Sequence, residues 1–170
     1  MLGVLVVSFL PPGTKSVVLP FGPLHSLDGR TFEMPGRTLV VEWPAFLRVG
    51  EAGQVRLEIT AGEQPAGLKV TAGGRLDLPA LAGQPDESGG VLLAGQPLRF
   101  TWDVKTSAAG SQQGLLWLTI WVEGQDLPGE EIAVMARPVD IPVRNPLGWR
   151  IAAGAGLLLA AAGALRLRLS

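Results

Sequence analysis

The chain has 170 residues, enough for one domain with a real core but not comfortably for two, and a formal net charge of −1. With its basic residues scattered singly, it gives no electrostatic case for nucleic acid as a partner. It contains no cysteine, which excludes disulfides, thiolate nucleophiles, zinc–thiolate sites and iron–sulfur clusters. Charged residues are 17% and apolar residues 47%. Soluble domains average about 25% charged, so part of the chain is expected to lie in lipid.

Met1 to Leu10 is apolar and closes on Pro11-Pro12-Gly13. Ten helical residues reach only about 15 Å, half a bilayer. No basic residues precede the run and no small-x-small cleavage site is clear, so it is not read as a signal peptide. It is either the end of a first transmembrane helix whose beginning is lost to a mis-assigned start, or a valine-rich first strand. The Pro-Pro-Gly stop favours the helix. Residues 11–36 then form a linker or first strands.

From Arg37 to Val143 the period is two, the signature of strands. Val55, Leu57 and Ile59 alternate with Arg56, Glu58 and Thr60. Leu98, Phe100, Trp102 and Val104 alternate with Arg99, Thr101, Asp103 and Lys105. Each set predicts an antiparallel strand with one face in a core and one in water. Thr38–Trp43, Leu68–Ala72, Glu131–Ala136 and Val139–Val143 are weaker strands, separated by turns such as Gly50-Glu51-Ala52-Gly53 and Gly73-Gly74. Pro79 to Pro97 reads as a long Pro- and Gly-rich connection. Pro138 and Pro142 remove ladder donors at alternate positions, which predicts an edge strand. Six to eight short strands with no helix between them predict an antiparallel β-sandwich over residues 37–144.

Leu115 to Val122 is apolar on both faces, with Leu116, Leu118, Ile120 and Val122 on one and Leu115, Trp117 and Trp121 on the other. Two readings follow. Another segment, such as Phe21–Phe32, covers the second face; or Trp117 and Trp121 form an apolar patch that docks a partner or lies on lipid.

The tail decides location. Ile151 to Leu165 is fifteen residues without a charge, and from Leu147 the run is nineteen with Arg150 inside it. Nineteen helical residues span roughly 28 Å, close to the hydrocarbon core. Arg150 can snorkel, Trp149 suits the interfacial belt, and Arg166 and Arg168 mark the other boundary. The expectation is a transmembrane α-helix over 147–165 with a basic tail at 166–170. Ala152, Gly156, Ala160 and Ala164 recur every four positions, a small-residue face on which a second copy or another membrane protein could pack.

Two stretches look like parts of a known family. "WPAFLRVGEAGQVRLEIT" (Trp43–Thr60) resembles the opening strand pair of bacterial extracytoplasmic immunoglobulin-like domains, and "FTWDVKTSAAGSQQGLLWLTIWV" (Phe100–Val122) resembles their late hairpin. The chain has neither a cysteine pair nor a tyrosine, so the inter-sheet disulfide and the tyrosine corner of antibody domains are absent. The resemblance implies an immunoglobulin-like β-sandwich and a role in adhesion, scaffolding or binding.

Chemistry-bearing clusters are sparse. His25, Ser26 and Asp28 contain the letters of a triad, but near neighbours in a turn seldom converge as nucleophile, base and orienter, so His25 is read as a solvated loop residue. Asp126, Glu130 and Glu131 follow no calcium-loop pattern and read as a solvated hairpin. Gly-rich stretches lack the lysine and helix of a phosphate loop. The chain is therefore expected to be an all-β, non-enzymatic binding or scaffolding module without a cofactor. It is expected at the bacterial plasma membrane, its partners the bilayer and another membrane protein or itself, with the sandwich extracytoplasmic. The alternative is an accessory subunit of a membrane transport or secretion complex.

Overall fold

The computed structural model describes residues 13–79, 82–84, 87–124 and 127–145. The expected transmembrane helix, with its Ala152, Gly156, Ala160 and Ala164 face, and the apolar N-terminal run lie outside those residues. Among the described residues every regular element is a strand, and no helix is long and apolar enough to cross a membrane.

The strands are β1 (Thr14–Pro20), β2 (Leu24–His25), β3 (Thr31–Phe32), β4 (Thr38–Pro44), β5 (Leu47–Arg48), β6 (Ala52–Ile59), β7 (Leu68–Asp77), β8 (Ala82–Gln84), β9 (Glu87–Leu92), β10 (Leu98–Lys105), β11 (Gly110–Gly124) and β12 (Leu127–Arg144). One sheet runs β1-β4-β6-β10-β8, a second runs β5-β12-β11-β7-β9, and β2-β3 form a small ribbon. Within them β4-β6-β10-β8 and β12-β11-β7 follow the spatial A-B-E-D and G-F-C order of the immunoglobulin sandwich, except that β9, beside β7, comes between β8 and β10 in the chain. The short β5 lies parallel to the end of β12, Val143 opposite Leu47, so the first edge is shared between the sheets.

The alternation sets the core. Val55, Leu57 and Ile59 from β6 are fully buried, as are Trp102 and Val104 from β10 and Leu116, Leu118 and Ile120 from β11. The bulkiest buried side chain, Trp102, reaches across to Gly74 on the inner face of β7. A Cβ at Gly74 would lie 3.0 Å from Cη2 and Cζ2 of the indole and 3.3 Å from Phe100 Cγ. The ring thus occupies the space that a side chain on β7 would take, and it sets how closely the sheets approach.

Two expectations are revised, and for residues 11–36 one of the two alternatives is seen among the described residues. The Pro79–Pro97 stretch is not a free connection: β8 pairs with β10, and β9 pairs with β7 from Val70–Leu92 to Arg75–Glu87. Glycines hide the period there, although Val91 and Leu92 point to opposite faces as a strand requires. The two weak late strands are one, β12, continuous across a register shift that skips Val134. Residues 11–36 supply first strands: β1 pairs with β4 along its whole length, from Thr14–Pro44 to Pro20–Thr38. The prolines of β12 sit as expected, since β5 covers only Val143 and Arg144 and leaves the outer edge open beside Pro138 and Pro142.

At the pole where β6 leaves the first sheet, Arg37 is buried with only 3% of its surface exposed. Nε donates to the Glu63 carbonyl at 3.1 Å. Nη1 donates to Thr60 and Gln96 at 3.0 and 3.2 Å, and Nη2 to Gly62 and Leu93 at 3.3 and 2.7 Å. All five guanidinium N–H groups are used, and each acceptor is a backbone carbonyl. Burial pulls the arginine pKa below its ordinary value.

Arg37→Ala is expected to lower the unfolding free energy by about 3–5 kcal/mol, and Arg37→Lys to recover little of it, because an ammonium cannot present a five-donor fork. Urea midpoints at constant slope check this. Gly74→Val, which must displace the Trp102 ring, is expected to cost about 1–3 kcal/mol in the same assay.

Candidate binding surface

Because β11 is the middle strand of its sheet, whatever it turns outward sits at the centre of that face. The inner set is Leu116, Leu118, Ile120 and Val122; the outer set is Leu115, Trp117, Thr119 and Trp121. Trp117 is 38% exposed and Trp121 44%. The Phe21–Phe32 segment does not cover them: Phe21 and Leu24 are buried in the core cluster, with Phe32 packed against it. Trp117 and Trp121 are thus part-exposed on the outer face.

Neighbouring strands keep the face flat. Trp117 lies opposite Ala136 of β12 and Arg75 of β7; Trp121 lies opposite Glu131 and Thr71. Between them Thr119 lies opposite Ala133 and Gly73, and Gly73 lies opposite Gly89 of β9. A strip almost without side chains therefore runs across the sheet between the two indoles. The Trp121 indole rests on the backbone of Gly129, where any Cβ would collide with it, so its ring is laid down along β12 rather than free to turn. Val91, 47% exposed, extends the apolar area on β9, and the Lys69–Glu123 ion pair at 3.4 Å borders it.

The opposite outer face is polar. Glu58 accepts from Arg99 at 2.9 and 2.6 Å, Gln54 donates to Asp103 at 2.9 Å, and Arg56 donates to Gln54 at 2.6 Å.

The remaining candidates do not assemble. His25 is exposed, and its Nδ1 bonds to Thr31 Oγ1 at 3.1 Å, away from Ser26. The Ser26 hydroxyl is tied to the Asp28 carboxylate and the Arg30 carbonyl within the β2–β3 turn. Asp126 lies outside the described residues. Glu130 and Glu131 point to opposite faces of β12, and Glu130 accepts from the Leu27 N–H at 2.6 Å, which pins the β2–β3 turn to the second sheet. Among the described residues no group of three or more His, Asp or Glu side chains is placed to hold a metal.

No family model and no curated protein matches the chain. Among solved structures it is similar to a cohesin module from a Clostridium perfringens family 33 glycoside hydrolase, with 12% identity over 62% of this chain and 94% of that one and a TM-score of 0.40. It is also similar to the seventh ASH/PapD-like domain of human CEP192, with 11% identity over 81% and 90% and a TM-score of 0.43.

The Asp28 carboxylate is held below its ordinary value of 3.8, first by the Ser26 hydroxyl, then by the Arg30 N–H and the Arg30 charge. A carboxylate with a lowered folded pKa contributes stability above its unfolded value, and that contribution is lost as pH falls through the folded one. Carboxyl NMR titration is expected to place the Asp28 midpoint below 3.8, and Ser26→Ala to move it back up.

Proposed function

We propose that this chain is a non-enzymatic binding or scaffolding module, an immunoglobulin-like sandwich held at a bacterial plasma membrane by residues 147–165. The sandwich stands on the extracytoplasmic side and docks another membrane protein, or a second copy, through the outer face of the second sheet around Trp117 and Trp121. The observation that carries the reading is the pair of exposed indoles on a flat, central, side-chain-poor strip, with a charged opposite face as contrast. Tryptophan is the residue most enriched where protein surfaces bind, because one rigid side chain contributes a large contact area. The anchoring part is supported by the nineteen-residue run and its Trp149, Arg166 and Arg168 boundaries.

The test is a photo-crosslinking amino acid placed at Trp117 of the full chain in its own membrane, with Arg56 on the opposite face as control. A discrete adduct at position 117, absent at 56 and lost on Trp121→Ala, is the expected result. Equal adducts at both positions, or none at 117, count against the reading.

A further inference from the structure

We propose that the pole of the sandwich carrying Phe46, Arg48 and Arg144 lies against the bilayer, with anionic lipid headgroups as its partner. This rests on the anchoring reading above and adds which end of the domain meets the lipid and by what chemistry.

The strand register brings both ends of the described chain to one pole. Thr14 opens β1 opposite Pro44, and the Gly13 carbonyl accepts the Ala45 N–H at 2.7 Å. Arg144 closes β12 opposite Arg48, and its carbonyl accepts the Val49 N–H at 3.1 Å. Leu10, the end of the first apolar run, is three residues from Gly13, and Leu147, the start of the second, is two from Asn145. At no more than about 3.5 Å per residue, neither run can begin more than roughly 10 Å from this pole. If residues 147–165 enter lipid, this end of the sandwich must therefore lie at the headgroups.

The side chains at that pole suit the position. Two guanidiniums lie over the Phe46 ring, Arg144 Cζ 4.5 Å and Arg48 Cζ 5.6 Å from its centroid. An aromatic ring flanked by arginines is the combination favoured at the membrane–water boundary. Lys15 and Lys105 are exposed at neighbouring strand ends, and Arg144 is exposed too. Glu51 pairs Arg48 at 3.5 Å, which leaves Lys15, Lys105 and Arg144 as the excess of positive charge at the pole. Asp103 and Asp140, hydrogen-bonded by the neutral Gln54 and Ser111, stay charged but lie two residues in from Lys105 and four in from Arg144. All these cations lie within a strand residue or two of the pole, which is within the Debye length of about 8 Å at physiological salt.

The arrangement also separates lipid from partner. Trp117 lies opposite Ala136, eight residues along β12 from Arg144, and Trp121 opposite Glu131, thirteen along, so they stand about 25 and 40 Å along the strand from that pole. With the strands upright on the bilayer, both indoles clear the headgroups and address something beside the domain.

Because the chain has no cysteine, single labels are clean. Ala108, exposed in the turn before β11, marks the proposed lipid pole; Leu27, 96% exposed and pinned to Glu130, marks the far one. Full-length Ala108→Cys and Leu27→Cys carry a fluorophore in vesicles of phosphatidylcholine and phosphatidylglycerol containing a headgroup-attached nitroxide. The expected result is several-fold quenching at position 108 and none at 27, with the 108 signal weakened in pure phosphatidylcholine and by Arg144→Gln. Chain that fails to float with vesicles after alkaline wash overturns the anchoring reading, and this proposal with it. Chain that floats but is quenched equally at both sites, or more at 27, overturns this proposal alone. Quenching at 108 indifferent to phosphatidylglycerol overturns the choice of anionic headgroups.

Discussion

A guanidinium buried without a carboxylate beside it is the constraint on which the far pole of this sandwich depends. A lone charge in the interior is tolerated only where dipoles replace the hydration it loses. Arg37 obtains them from Thr60, Gly62 and Glu63, just past β6, and from Leu93 and Gln96, between β9 and β10. Those segments make the crossings from one sheet to the other, so a single side chain fixes both crossings in relation to the start of β4. The Gly62 and Leu93 carbonyls also accept backbone N–H groups, from Gly95 at 2.9 Å and Gln96 at 3.2 Å, so the guanidinium joins the turn hydrogen bonds of both crossings. Gly62 completes the fit, because a side chain there would run into the Arg37 stem. With the crossings held, the two sheets keep the separation at which Trp102 rests on Gly74.

Much of this could be read from the residues. Period-two alternation named the inward set of β6 and β10, because a one-residue slip would send every apolar side chain into water. On β11, apolar on both faces, it separated the two sets without saying which faced inward. What alternation cannot report is a buried residue of the wrong polarity. Arg37 follows a proline and a glycine and reads as a solvated turn residue; only the geometry of the carbonyls around it reveals its role. β8 and β9 were hidden for the opposite reason, since a strand built on Ser88, Gly89 and Gly90 has almost no side chains with which to show a period.

The candidate surface was half legible. Two tryptophans on the second face of an already apolar strand posed the question, but their exposure depended on where Phe21, Leu24 and Phe32 went. Those residues plug the core rather than shield β11, and nothing in their spacing distinguishes one destination from the other. Gly129 was equally silent: a glycine near a hairpin reads as a turn residue, whereas here it is the bed on which Trp121 lies.

The late position of β12 bears on how the domain is made. Val139, Ile141 and Val143 are buried in the core, and β5 pairs through Leu47 and Arg48 with Val143 and Arg144. A nascent chain that lacks β12 therefore leaves part of the core uncovered and β11 paired on one side only, with β7. The core is complete only once the last described strand has been made, so folding of the sandwich falls at the end of synthesis of these residues rather than part-way through it.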